Sequence, residues 1–239
     1  MSGHSKWANI KRRKGAQDAI RGNIFQKLAK EIYVAAKSGD KDPNNNPTLR
    51  MVIDKAKSEN MPKDKIQNAI DKASKQIGGE DYEAIRYEGY GPGGIAVMVD
   101  CLTDNKNRTA PEIRSAFSKK NGNLGTDGSV SYLFERKGII IIDNKYNEED
   151  VMMTVIDAGA EDLTTNEDNY EIITPYDKFI DVKKALETLG IEEFMVSEVT
   201  FLPKVEIEVD DNIKEKVFGL VETLEENEDV QNVYHNMKE

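Results

Sequence analysis

The chain has 239 residues and a mass of 26.9 kDa, with 38% hydrophobic residues, 32% charged residues and a net charge of -11. That length suits two or three small domains of roughly 100 residues each, and no run reaches the roughly 20 apolar residues that cross a bilayer. The first residues, Met1–Trp7, lack the apolar core of a secretory signal, and the sole cysteine, Cys101, excludes an intramolecular disulfide, a Cys-rich zinc site and a CxxC redox motif, so a reducing cytoplasm and no membrane partner are expected.

Residues 1–15 read as a flexible arm: Ser, Gly and Asn surround the cluster Lys11-Arg12-Arg13-Lys14, with too few apolar residues to bury. From Ala16 the pattern is helical, with Ile20, Ile24, Leu28 and Ile32 recurring every four residues and Lys27, Lys30 and Lys37 off that stripe. Ser38-Gly39-Asp40 ends this helix. Asn46 as cap and Pro47 in the first turn start a second, and a third begins near Pro62, so 16–79 is expected to be a three-helix domain. Strands are expected over 82–90 and 95–102, joined by Gly91-Pro92-Gly93-Gly94, then a helix over 109–120 and a strand over 130–134. Residues 138–202 run strand, helix, strand, strand, helix, strand, the order of a ferredoxin-like unit. A strand over 204–209, a helix over 212–225 and a strand over 230–235 close the chain. The tail needs partners, and so do the elements at 82–134. The expectation is therefore an α+β protein of three domains: the helical domain, a discontinuous α+β domain of 80–135 plus 204–239, and a ferredoxin-like α+β domain of 136–203 inserted in it.

Charge is partitioned along the chain. Residues 1–75 carry 17 Lys and Arg against 8 Asp and Glu, whereas residues 76–239 carry 16 against 36. The first 30 residues hold eight basic side chains and one acidic one, Asp18. This describes a basic head that seeks phosphate on an acidic body that repels it.

Catalytic constellations are missing. His4 lies in the arm and His235 near the end of the chain, with no nucleophile and third group to complete a triad. Cys101 lies in an apolar strand, where cysteine is a small buried hydrophobe. Acidic pairs such as Asp210-Asp211 fall at helix starts, the placement a helix dipole favours, and no spacing resembles a dedicated metal loop. No metal, cofactor or enzymatic activity is expected. Gly89–Gly94 reads as a glycine turn between strands, since no Gly-Lys-Ser/Thr follows it. Asp104-Asn105-Lys106-Asn107-Arg108-Thr109 has two readings: a phosphate or base contact, or a helix start capped by Thr109 or Asn107. The loop Gly122–Gly128 either binds an anion through backbone N–H groups or simply connects two elements. Trp7, the one tryptophan, either stacks on a base or folds back onto the helical core.

Several long stretches resemble the YebC/PmpR family. Met1-Ser2-Gly3-His4-Ser5-Lys6-Trp7-Ala8-Asn9-Ile10 and Arg13-Lys14-Gly15-Ala16-Gln17-Asp18-Ala19 are similar to its N-terminal signature, with Ser2 in place of the usual alanine. Tyr87–Gly94, Asp104–Thr109 and Asn123–Val130 resemble its later motifs, in the expected order along the whole chain. The resemblance implies a cytoplasmic bacterial protein with a helical domain and two α+β domains. It also implies a probable transcriptional regulator that binds DNA, while mitochondrial relatives activate translation and bacterial ones are linked to relief of ribosome stalling. The leading reading is a non-enzymatic, DNA-binding regulator of transcription. The alternative is a ribosome-associated translation factor that binds ribosomal or transfer RNA. Candidate nucleic-acid contacts are Lys6, Trp7, Lys11, Arg12, Arg13, Lys14, Arg21, Lys27, Lys106 and Arg108.

Overall fold

A computed structural model describes residues 21–74 and 81–238. They form two compact units, one of residues 135–202 and the other of residues 21–134 with 203–238. The larger unit opens with three helices: α1 (Arg21–Ser38), α2 (Pro47–Ser58) and α3 (Lys63–Ser74). Leu28, Ile32 and Ala36 of α1 meet Leu49, Ile53 and Ala56 of α2 and Ile66, Ala69 and Ile70 of α3 in a common core. The link from α1 to α2 depends on the buried Asn46. Its amide donates to the carbonyls of Ala35 and Asp40 at 2.9 and 2.7 Å, while its oxygen caps α2 by accepting from Leu49 N at 3.0 Å. Asn60 takes a left-handed φ of 59° after α2, and the N–H of Met61 reaches back to the Ala56 carbonyl, a C-terminal closure that asparagine tolerates better than branched residues.

The same unit holds an antiparallel sheet. Strands β1 (Glu83–Tyr90) and β2 (Ala96–Thr103) pair from Glu83–Thr103 to Tyr90–Ala96 across a short 3₁₀ turn at Pro92–Gly94. Helix α4 (Lys106–Lys119) leads to the two-residue β3 (Asn123–Leu124) on the far side of β1. Helix α7 (Asp211–Glu225) leads to β8 (Val230–His235) beside β2, giving the order β3-β1-β2-β8. Both helices cover one face, where Val97, Val99 and Cys101 pack with Ile113, Phe117, Val217, Leu220 and Leu224. Beta-2, α4 and β3 form a split β-α-β with β1 between, so the spatial order is ferredoxin-like although β1 enters the third-strand slot first in sequence.

Two expected strands are absent from this sheet. Residues 130–134 make a 3₁₀ turn at Ser131–Leu133, because the N–H groups of Val130 and Ser131 bind the Glu88 carboxylate instead of a neighbouring strand. Residues 204–209 alternate in polarity like a strand, yet only an isolated bridge forms, between Ile207 and Met237, and Val205 is 69% exposed. Beta-3 lies in a stretch that reads as a loop.

The smaller unit runs β4 (Phe134–Asp143), α5 (Glu148–Asp157), β5 (Asp162–Thr165), β6 (Asn169–Pro175), α6 (Phe179–Thr188) and β7 (Val196–Pro203), with sheet order β5-β6-β4-β7. That is the ferredoxin-like arrangement expected from the sequence. Val151, Val155, Val182 and Leu186 of the helices are buried, as is the Ile139–Ile142 run of β4. A strand buried on both faces reads as such a continuous apolar run.

Glycine is required where β1 meets β3. A Cβ on Gly89 would stand 2.5 Å from the Asn123 carbonyl oxygen and 2.9 Å from a Phe117 ring carbon. Gly89→Ala is expected to lower stability by about 1–3 kcal/mol through this overpacking, read as a fall in the urea midpoint. An unchanged midpoint would show that β3 moves aside without cost.

Candidate nucleic-acid interface

Helix α7 has no basic residue in its last turn. A helix C-terminus collects partial negative charge on carbonyls that lack intrahelical donors. Helix α1 supplies the cations. Lys27 Nζ donates to the Glu225 carbonyl at 2.6 Å, Asn23 Nδ2 to the Glu226 carbonyl at 3.3 Å and Lys30 Nζ to the Glu228 carbonyl at 3.0 Å. Spacings of four and three residues put Asn23, Lys27 and Lys30 on one face of α1. Further along, Tyr33 meets the Tyr82 ring edge-on at 5.7 Å, and Lys37 pairs with Asp81 at 2.5 Å.

This contact centres on Asp229, whose side chain is 2% exposed. Lys30 Nζ binds its Oδ1 at 3.0 Å. Its Oδ2 accepts from Arg108 Nη2 at 2.8 Å, from Thr109 Oγ1 at 2.8 Å and from Thr103 Oγ1 at 3.0 Å. Burial alone would raise the carboxyl pKa. The hydrogen bonds from Arg108, Lys30 and Thr109 outweigh it and hold the pKa at about 2. The motif Asp104–Thr109 therefore does structural work. Asn105 caps α4, its side chain accepting from Arg108 N at 3.2 Å, which corrects the expectation that Thr109 or Asn107 is the cap. Thr109 is instead buried within the Asp229 cluster.

The candidate contacts are thus dispersed. Lys6, Trp7, Lys11, Arg12, Arg13 and Lys14 lie outside the described residues, and so does the side chain of Arg21. Lys27 and Arg108 have partners within the fold. Lys106, in the first turn of α4, is exposed. The residues that organise this region, Asp229, Thr103 and Lys30, are not among the contacts that the sequence singles out. Asp229 is separated from its partners by more than 100 positions, and nothing local in the sequence distinguishes it from the other acids of the tail.

The glycine-rich loop after β3 does bind a carboxylate, but an internal one. Glu88 is buried, and its oxygens accept from the N–H groups of Gly128, Val130 and Ser131 at 3.1, 2.8 and 2.7 Å. Burial raises its pKa and these three donors more than reverse the effect, leaving it below the usual range. Cys101 is buried too, and burial with the nearby Asp229 and Asp100 pushes its thiol up to about 12, so it holds no thiolate at neutral pH. Among the described residues no group of three or more His, Cys, Asp or Glu side chains is arranged to hold a metal ion. No described helix is long and apolar enough to cross a membrane.

Close relatives of the chain carry the name of probable transcriptional regulatory proteins. One from Bacillus licheniformis is 58% identical, over 99% of this chain and 100% of its own length. YrbC of Bacillus subtilis is 53% identical over 100% of both chains. A conserved hypothetical protein of Aquifex aeolicus has the same fold, with a TM-score of 0.81 at 43% identity, over 92% of this chain and 91% of that one. The model of the TACO1/YebC N-terminal domain matches residues 5–76, and that of the TACO1/YebC second and third domain matches residues 82–237. The chain belongs to the TACO1/YebC family.

Because Asp229 is held near 2 rather than at 3.8, the stability it confers is complete above about pH 4 and is lost as the pH falls towards 2, an effect of about 2 kcal/mol. Asp229→Asn should remove that part of the acid sensitivity, measured by urea melts between neutral pH and pH 3. Asp229→Ala, which leaves Lys30 and Arg108 without their buried partner, should cost about 3–5 kcal/mol at neutral pH. Identical acid sensitivity in wild type and Asp229→Asn would contradict the assignment.

Proposed function

We propose that this chain is a non-enzymatic, cytoplasmic, DNA-binding regulator of transcription. In this reading residues 1–15 are the arm that grips the phosphate backbone, the helical domain of 16–79 carries it, and the two α+β domains, 80–135 plus 204–239 and 136–203, form the acidic body. The observation that carries it is the eight-to-one excess of basic side chains in residues 1–30 of a chain whose net charge is -11. Within that excess Lys27 binds the Glu225 carbonyl of α7, and Lys30 binds the Glu228 carbonyl and Asp229. The phosphate contacts then fall to Lys6, Lys11, Arg12, Arg13, Lys14 and Arg21, with Trp7 beside them and Lys106 as an accessory cation. Lys27 and Arg108 serve as positioning residues. The names of the relatives support the regulatory part of this reading.

Neutralising about 6 to 8 phosphates on duplex DNA gives a slope of log K against log salt of roughly -5 to -7. Replacing Lys11, Arg12, Arg13 and Lys14 by alanine removes four cations and should flatten that slope by roughly 3 to 4. Fluorescence titrations across a salt series check this, and an unchanged slope would overturn the role of the arm. The same titrations with Trp7→Ala on duplex DNA and on structured RNA separate DNA binding from action at the ribosome. Tighter RNA binding that depends on Trp7 would move the function to translation.

A further inference from the structure

Beta-1 and α4 enclose an open groove of about 430 Å³ on the larger unit. That volume is within the range of ligand sites. Ile85 and Tyr87 stand two residues apart on the same face of β1 and form an apolar, partly aromatic floor with Ala110 of α4. Lys106 and Arg114 also line it. They are eight residues apart with Ala110 midway, so they share one face of α4 about 12 Å apart along its axis.

These two residues differ from their basic neighbours in how they are paired. Residues 76–239 hold 36 acids and 16 bases, and the neighbouring Arg86 and Arg108 are each paired with a carboxylate, Asp100 and Asp229. Lys106 and Arg114 make no ion pair among the described residues, and both are exposed. The one carboxylate lining the groove is Glu83. Another groove on this unit, between α4 and α7, differs: Asn227 donates to Glu112 across it at 2.7 Å. Two unpaired cations flanking an aromatic floor match the chemistry of an unpaired nucleotide, whose base stacks on an aromatic surface while its flanking phosphates take the cations.

We propose that the β1–α4 groove is a subsite for one unpaired nucleotide of a nucleic-acid strand, with the base over Tyr87 and Ile85 and the adjoining phosphates at Lys106 and Arg114. The inference rests on the reading that the chain binds nucleic acid and adds a second site, distinct in chemistry from the arm. Duplex DNA keeps its bases stacked and paired, so the groove discriminates strand state where the cations of the arm do not.

The test titrates the full chain with three probes at matched salt: a single-stranded deoxyoligonucleotide, the ribo-oligonucleotide of the same sequence, and the corresponding duplex. Lys106→Ala and Arg114→Ala are at exposed positions. Each should weaken binding to the single strands about 3- to 10-fold and to the duplex less than about 2-fold. Glu83→Gln removes the repelling carboxylate and should tighten single-strand binding about 2-fold, a gain that misfolding cannot produce. The deoxy and ribo probes show which sugar the groove accepts. Groove variants that bind single strands like wild type, or that lose equally on the duplex, would overturn the subsite. Wild type that binds the duplex but neither single strand would overturn the subsite alone. Wild type that binds none of the three would overturn the nucleic-acid reading with it.

Discussion

The buried carboxylate of Asp229 joins the helical bundle to the first sheet. It lies just before β8, and it takes Lys30 from α1, Arg108 and Thr109 from α4, and Thr103 from the end of β2. A buried carboxylate is tolerated only when its lone pairs and charge are matched, and here two cations and two hydroxyls match them. Around this point α1 covers the C-terminal end of α7, Lys27 binding the Glu225 carbonyl of its last turn and Lys30 the Glu228 carbonyl of the loop that follows. The bundle is thus seated on the sheet by electrostatic contacts at the end of a helix, while its apolar face is occupied internally by α2 and α3.

That arrangement changes what the basic residues of the head can do. A helix with lysines on the face opposite its apolar stripe resembles a phosphate-binding helix, and in isolation it would be one. Here the same lysines are turned towards the acidic body. Under the proposed function the cations left for a partner are those ahead of α1, in the segment that holds Lys11 to Lys14, together with exposed ones such as Lys106 at the start of α4. An acidic body gripped by its own basic helix still repels a polyanion elsewhere, so under the proposed function contact with nucleic acid would be confined to a few points rather than spread over the surface.

The features legible in the sequence were those written locally. Period-four apolar positions located α1, Asn46-Pro47 marked the start of α2, and the β-α-β-β-α-β order of the smaller unit followed from alternating patterns. The misreadings arose where distant partners took over backbone groups. Glu88 is 42 positions from Val130, and by claiming its N–H it turns an apparent strand into a 3₁₀ turn. Val205 to Val209 alternate like a strand, but beyond the Ile207–Met237 bridge no ladder forms there. The start of α4 moved ahead of the expected Thr109 because Asn105 is the cap and Pro111 sits inside the helix rather than in its first turn. For the candidate site the residue types were legible and their allegiance was not. Lys27 and Arg108 have the chemistry of phosphate contacts, and only the fold shows that α7 and Asp229 already hold them.

Under the proposed function the lysines of α1 serve the fold and not the nucleic acid. The most direct measurement is the salt dependence of duplex-DNA binding for Lys27→Ala and Lys30→Ala, made alongside urea melts of the same variants. Slopes of log K against log salt equal to that of wild type are expected, with a lowered urea midpoint in both variants. A slope flattened by about one unit per lysine removed, with an unchanged midpoint, would show that these lysines contact phosphate and would contradict that role.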